Sequence, residues 1–312
     1  MVMRNRHRWP DDGEPLPSPA VDNHAHLPVL DEDGAPTDPL DAGLLEKTEP
    51  LSTPEQIERA QRAGVERILT VGCQLPDLAG TVAMAREFPP IAAALAIHPN
   101  EAALHAGVRE VAPDGLDPLV REHHAVPLDD AIAAVAELAR DERVVAIGET
   151  GLDRFRTGEQ GFAAQVRSFR EHLALARELG LPVQIHDREA HAETVEVLLA
   201  DGAPERTVFH CFSGDVDLAR TCAEYGWYAS FAGPVTYPKN DALRAALAEM
   251  PLELVLVETD APYLAPVPRR GRPNAPYLMA HTVRFLAEFR GVELAEMCAA
   301  LTANTDRVYG AW

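Results

Sequence analysis

At 312 residues, 46% of them hydrophobic, the chain is long enough for one large α/β barrel and apolar enough to fill its core. No stretch approaches the roughly 18 consecutive apolar residues of a membrane span. A formal net charge of -21 weighs against broad attraction to nucleic-acid phosphates, although bound divalent cations can supply positive charge locally.

Residues 1–19 carry early basic residues with no apolar run behind them, so no secretory leader is expected. Their Pro, Asp and Glu content reads as a disordered lead-in to a single domain over residues 20–312. A first strand at 20–24 ends in His24-Ala25-His26, and a long loop at 28–51 follows it. Ser52-Thr53-Pro54-Glu55 reads as a cap with proline early in a helix at 54–63, which Gly64 ends. Next come a strand at 67–72, a helix at 78–88, a strand at 91–97 and a second long loop at 98–127. A helix at 128–140, a strand at 144–148, a helix at 161–179 and a strand at 182–186 continue the alternation. Helices at 190–199, 216–225 and 241–249 separate strands at 207–210, 228–231 and 254–258. Two more helices, 277–289 and 293–309, end the chain, and Gly180 and Gly226 stand where helix ends want glycine.

Eight strands alternating with helices predict an α/β fold of the (β/α)8 TIM-barrel type. Neither a G-x-G-x-x-G after the first strand nor a Walker G-x-x-x-x-G-K-[ST] is present, which disfavours an open nucleotide-binding sheet. Both long loops belong to the C-terminal face, where such barrels build their sites. Cys73, Cys211, Cys222 and Cys298 form no C-x-x-C pair and are expected as free thiols in a reducing, cytoplasmic setting.

His24 and His26 stand two apart on a strand, so both imidazoles can aim at one ion. Glu149, His186, His210 and Asp260 fall at four other strand ends. Charged groups converging on a buried barrel mouth are costly unless cations neutralise them, so these six are the expected metal ligands. The competing reading pairs Glu149 and Asp260 with Arg154 or Arg188 in a buried ionic network. Asp22 and Asp153 are expected to orient ligands or cap loops. His98 ends the third strand and is expected to face substrate. His7, His105, His123, His124, His172, His191 and His281 fall in the leader, loops or helices and are expected to be solvated or structural.

The stretches VDNHAHL, AIHPNEA, AIGETGLDRF, LPVQIHDREA, FHCFSGD and VETDAPYLAP, then RRGRPNAP and ANTDRVYG, run in order from about residue 20 to 310. Together they resemble the TatD family of metal-dependent deoxyribonucleases, within the amidohydrolase-like barrels. The resemblance implies one divalent metal on His24, His26 and Asp260, with Glu149 bridging to a second completed by His186 and His210. Mixed imidazole and carboxylate ligands leave magnesium, manganese and zinc open. It further implies a 3'-5' exonuclease acting on single-stranded DNA or DNA ends. Asp260 would then accept the proton of the attacking water, Arg188 would contact a phosphate, and His98 would contact substrate or assist the leaving group.

There are departures from the family pattern. Arg154 stands where an aromatic residue is common, and the loops at 28–51 and 107–127 look long. Arg269, Arg270 and Arg272 form the one basic patch near the site and are a candidate contact for a phosphate backbone. Other hydrolyses remain open, aminoacyl-tRNA deacylation among them. A carbamylated-lysine bridge is disfavoured, because the only lysines, Lys47 and Lys239, stand at no central strand end. A non-catalytic metal-bound scaffold is disfavoured because no ligand is missing. Neither a membrane nor an obligate protein partner is expected, and a monomer is.

Overall fold

Residues 8–29 and 51–312 are described by a computed structural model of the chain. Eight parallel strands follow chain order around one sheet: β1 Ala20–Ala25, β2 Val65–Gly72, β3 Ile91–Leu95, β4 Val144–Asp153, β5 Val183–Arg188, β6 Thr207–Phe209, β7 Tyr228–Phe231 and β8 Val255–Val257. The seam between β8 and β1 closes just beyond the end of β8. There the Asp260 N–H donates to the His24 carbonyl (2.9 Å) and the His26 N–H to the Ala261 carbonyl (2.7 Å). The expected TIM barrel is therefore the fold, and its closing bonds run through three of the candidate ligands.

Ten α-helices are described: α1 Thr53–Arg62, α2 Leu78–Glu87, α3 Pro99–His105, α4 Leu128–Leu138, α5 Glu159–Leu179, α6 His191–Asp201, α7 Val216–Tyr225, α8 Asp241–Glu249, α9 Met279–Arg290 and α10 Leu294–Tyr309. At the start of α1 the expected cap is reciprocal: the Ser52 hydroxyl and the Glu55 carboxylate bond each other's backbone N–H. None of the described helices is long and apolar enough to cross a membrane.

Period-two alternation sorts the strand residues into two apolar layers. Val183, Ile185, Phe209, Val255 and Val257 join the large layer beneath the helices. Ala92, Ala94, Ala146, Val208 and Leu256 form a second cluster with Val308 and Tyr309 inside the barrel. Arg206 donates to the Val308 carbonyl (2.8 Å) and Trp312 Nε1 to that of Pro90 (3.1 Å), so the end of the chain covers the N-terminal end of the barrel. The opposite end is left for the site.

Two expectations need correction. Residues 8–19 were expected to be part of a disordered lead-in, yet they lie against α1 and α9. Leu16 is buried and its N–H donates to the Ala63 carbonyl (2.9 Å), one of the unpaired acceptors at a helix end. Asp12 pairs with Arg59 and Arg62, and the Tyr277 hydroxyl donates to the Pro10 carbonyl (3.0 Å). The segment read as a loop at 98–127 also contains α3 and a 3-10 turn, Glu122–Ala125. Pro99 is tolerated there because it opens the helix, where its missing N–H costs nothing. His7, Lys47 and most of the loop at 28–51 lie outside the described residues.

Candidate metal centre

The inner face of each strand delivers side chains to the mouth by parity. On β1 the sequence of inward residues is Asp22, His24 and then His26 just past its end. Gln184 precedes His186 on β5, Val208 precedes His210 at the end of β6, and Leu256, Glu258 and Asp260 follow one another from β8. Glu149 breaks this parity: the β4–β5 register shifts between Ile147 and Thr150, which carries Glu149 inward. Gly148 stands at the same place, and a Cβ there would lie 2.5 Å from the Gln184 Cβ.

All six predicted ligands converge, and the Glu149 carboxylate is the hub. Its Oε1 lies 3.5 Å from His26 Nε2 and 3.8 Å from His24 Nε2. Asp260 Oδ1 lies 3.5 and 3.9 Å from the same two nitrogens. On the other side, Glu149 Oε2 is 3.0 Å from His186 Nδ1 and 2.6 Å from His210 Nε2. His210 reaches both sides, since one of its ring nitrogens also groups with His24 and Asp260 within 4.8 Å.

Partners behind the candidate ligands orient their rings. Gln184 donates its amide to the Asn23 carbonyl (2.8 Å) and the Tyr309 hydroxyl (2.9 Å), which leaves its oxygen to accept from His24 Nδ1 (3.0 Å). His210 Nδ1 faces Glu258 Oε1 (3.2 Å), and His186 Nε2 faces Asp153 Oδ2 (3.1 Å). His24, held neutral by burial, keeps its proton on Nδ1 and turns a lone pair to the mouth. His186, pushed up to about 9, and His210, also held up, face carboxylates on both nitrogens and would turn a lone pair inward once a cation replaced the inner proton. Asp153 also accepts from the Phe155 and Arg156 N–H groups (2.9 and 2.8 Å), so it both holds the His186 ring and caps a loop. Asp22 accepts from the Thr259 N–H (2.8 Å) and ties β1 to the segment bearing Asp260; burial pushes its carboxyl up to about 8.

His98 is built the other way round. Its Nδ1 accepts from the Asn100 N–H (3.1 Å), so the neutral ring carries its proton on Nε2, 3.9 Å from Glu149 Oε2. Burial holds this imidazole down to about 4. It is thus a neutral donor facing the mouth and not a lone pair.

The electrostatics of the ion-free mouth favour cations. Burial works to raise Glu149, but the His210 ring beside it and the hydrogen bonds from His186 and His210 outweigh it and hold the carboxylate well below its usual range. Burial likewise opposes protonation of His210, yet the Glu149 and Glu258 carboxylates hold that ring well above its usual range. Glu258 Oε2 is buried with no hydrogen-bond partner among the described residues. The Glu149 and Asp260 carboxylates and four imidazoles in a largely buried cluster, with Glu258 behind His210, make a donor set that fits divalent cations in place of protons.

A cavity of about 1090 Å³ opens over this cluster. Arg188 lines it, stacked 3.8 Å over the Phe155 ring, and has no carboxylate at ion-pair distance among the described residues. Arg154 pairs instead with Glu193 (2.7 Å) and Glu159 (2.8 Å), so the buried network joining Arg154 or Arg188 to Glu149 or Asp260 does not form. The Arg269, Arg270 and Arg272 patch does not line the cavity: Arg272 bonds the Arg8 carbonyl and Arg270 lies over Tyr237 (4.4 Å). All four cysteines are free. Sequence reasoning passed over Gln184 and Glu258, although each stands two residues before a ligand and shares its face.

The family described as TatD related DNase matches residues 21–310. A Mycobacterium tuberculosis protein named as an uncharacterized metal-dependent hydrolase TatD is 38% identical over 258 residues, 81% of this chain and 89% of its own length. A Cronobacter sakazakii protein named 3'-5' ssDNA/RNA exonuclease TatD is 34% identical over 262 residues, 82% of this chain and 90% of its own. The crystal structure of YjjV, a TatD homologue from Escherichia coli K12, aligns with a TM-score of 0.75 at 27% identity, covering 94% of this chain and 98% of that one.

Proposed function

The chain belongs to the TatD-related family of metal-dependent hydrolases, and from that premise we propose that it is a 3'-5' exonuclease cleaving DNA phosphodiester bonds at single strands or ends with two divalent cations. The observation that carries the reading is the division of Glu149: its two oxygens face two different sets of imidazoles. His24, His26 and Asp260 would hold one ion on the Oε1 side, and His186 and His210 the other on the Oε2 side. Bound ions of this kind acidify water and stabilise charge on phosphoryl oxygens.

The remaining roles belong to the chain's own groups. Asp260 stands on the rim of the cluster, held by its backbone bond to His24, where its carboxylate orients the attacking water and accepts its proton. His98 presents Nε2–H to the mouth and donates to the leaving oxygen. Arg188 reaches into the cavity from its stack on Phe155 and binds a neighbouring phosphate, a planar donor matched to that group. The name of the Cronobacter relative supports the nucleic-acid substrate. The four free thiols suit a reducing, cytoplasmic setting.

The test is cleavage of 3'- or 5'-labelled single-stranded DNA in magnesium, manganese or zinc, with Asp260→Asn alongside. Stepwise loss from the 3' end, abolished by EDTA and by the substitution, is the expected result. DNA left intact under every metal would overturn the nuclease reading and move the search to aminoacyl-tRNA and small esters.

A further inference from the structure

A second cluster of metal-binding character lies on the connection from β3 to β4. Glu101 and His105 are on α3, and His123 and His124 are on the 3-10 turn that ends the long insertion. One potential ligand atom from each of the four lies within 4.8 Å of all the others. None of these residues is shared with the barrel cluster.

His105 is the decisive member. Its Nδ1 lies 2.7 Å from the Val126 carbonyl, which can only accept, so Nδ1 carries the proton and Nε2 offers a lone pair. That Nε2 is buried with no hydrogen-bond partner among the described residues, in a side chain only 5% exposed. A buried acceptor without a donor has lost its hydration with nothing to replace it. A ring anchored through Nδ1–H to a carbonyl is also the usual posture of a ligating histidine. An ion pair between Glu101 and its two neighbouring imidazoles leaves this nitrogen unexplained.

We infer that Glu101, His105 and His123 bind a transition-metal dication, with zinc the best match, and that the ion ties the insertion at 106–121 to α3. Glu101 Oε2 is 2.9 Å from His123 Nε2 and 2.8 Å from His124 Nε2. The two imidazoles differ in their other nitrogen. His124 Nδ1 accepts the Arg121 N–H (2.8 Å), so its Nε2 keeps a proton and orients the Glu101 carboxylate without ligating. His123 Nδ1 has no hydrogen-bond partner among the described residues, so its proton can sit there and free Nε2 for the metal. Two imidazoles and one carboxylate suit zinc better than magnesium or calcium, and leave a fourth position for water. Glu101 and Arg121 line the large cavity, as do Val108, Glu110, Asp114 and Leu119 of the insertion. The ion therefore fixes the cavity's outer wall.

The test counts zinc on metal-stripped full-length protein, titrated with zinc alone against a chromophoric chelator. Wild type is compared with Glu101→Gln and with the double variant His105→Ala/His123→Ala. Both variants are expected to lose one zinc equivalent relative to wild type, or to bind that equivalent at least about tenfold more weakly. Tryptic cleavage after Arg109 and Arg121 is expected to be slowed by zinc in wild type and unaffected by zinc in the variants. Glu101→Gln keeps acceptors for both imidazole N–H groups, so it decides the matter even if the double variant fails to fold. An unchanged zinc count and unchanged protection in Glu101→Gln would overturn the assignment. Because the readout is a difference between chains with intact barrel ligands, it does not depend on what the barrel site hydrolyses.

Discussion

Glu149 shows what one carboxylate can do when its two oxygens meet different neighbours: the same residue closes two imidazole groups into one cluster. The six metal-ligand candidates were legible because chemistry-bearing residues recurred at strand ends. The partners that orient their rings, Gln184 and Glu258, were not, since a buried glutamine or glutamate two residues before a candidate ligand carries no signal apart from parity. His105, His123 and His124 were legible only as loop and helix histidines, because their convergence depends on how the insertion folds back. His172 illustrates the cost of a buried neutral ring. Its Nε2 accepts the Ile97 N–H (3.1 Å), its Nδ1 donates to the Ser168 carbonyl (2.7 Å), and burial holds it down to about 4 from an ordinary 6.5. The unfolded chain therefore binds this proton first as pH falls, and the folded state loses stability between pH 6.5 and about 4. His172→Gln is expected to flatten that part of the stability curve, measured by urea unfolding at stepped pH. Parallel curves for the two proteins would remove His172 from the account.

At the level of elements, apolar runs bounded by turn residues gave the eight strands to within a few residues, apart from β4, which runs on to Asp153. That extension carries the irregular register on which Glu149 depends, and irregular register has no signature in residue type. α3 escaped notice because it spans 7 residues and opens on Pro99, and composition misjudged residues 8–19 because their bonds are to distant helices. Gly148 is where backbone and site meet. An alanine there would press its Cβ to 2.5 Å from that of Gln184, the residue that orients His24. Gly148→Ala is expected to destabilise the fold by about 1–3 kcal/mol and to reduce turnover more than unfolding explains. Urea midpoints and activity measured together check this. Wild-type activity with wild-type stability would show that β4 yields without disturbing the site.

For the whole molecule, the charge of -21 and the local chemistry pull in different directions. An acidic surface gives little general affinity for a polyanion, so in the proposed nuclease the binding comes from the mouth, from the ions it would hold and from the few cations lining the cavity. Arg188 lines it, whereas Arg269, Arg270 and Arg272 do not. Arg188→Ala is expected to lower kcat/KM on single-stranded DNA roughly tenfold or more, the scale of one charge-assisted hydrogen bond. Replacing the three arginines of the patch with alanine should leave it nearly unchanged. The reverse ranking, read from steady-state kinetics at fixed salt, would return recognition to the patch.

The proposed pair of ions at the mouth is tested most directly by anomalous diffraction from crystals of wild type and Glu149→Ala soaked in manganese. Two peaks at the barrel mouth of wild type are expected, one beside each oxygen of Glu149, with the pair lost or reduced to one in the variant. A single peak in wild type, or two peaks that survive removal of Glu149, would contradict the bridging role on which the proposed chemistry rests.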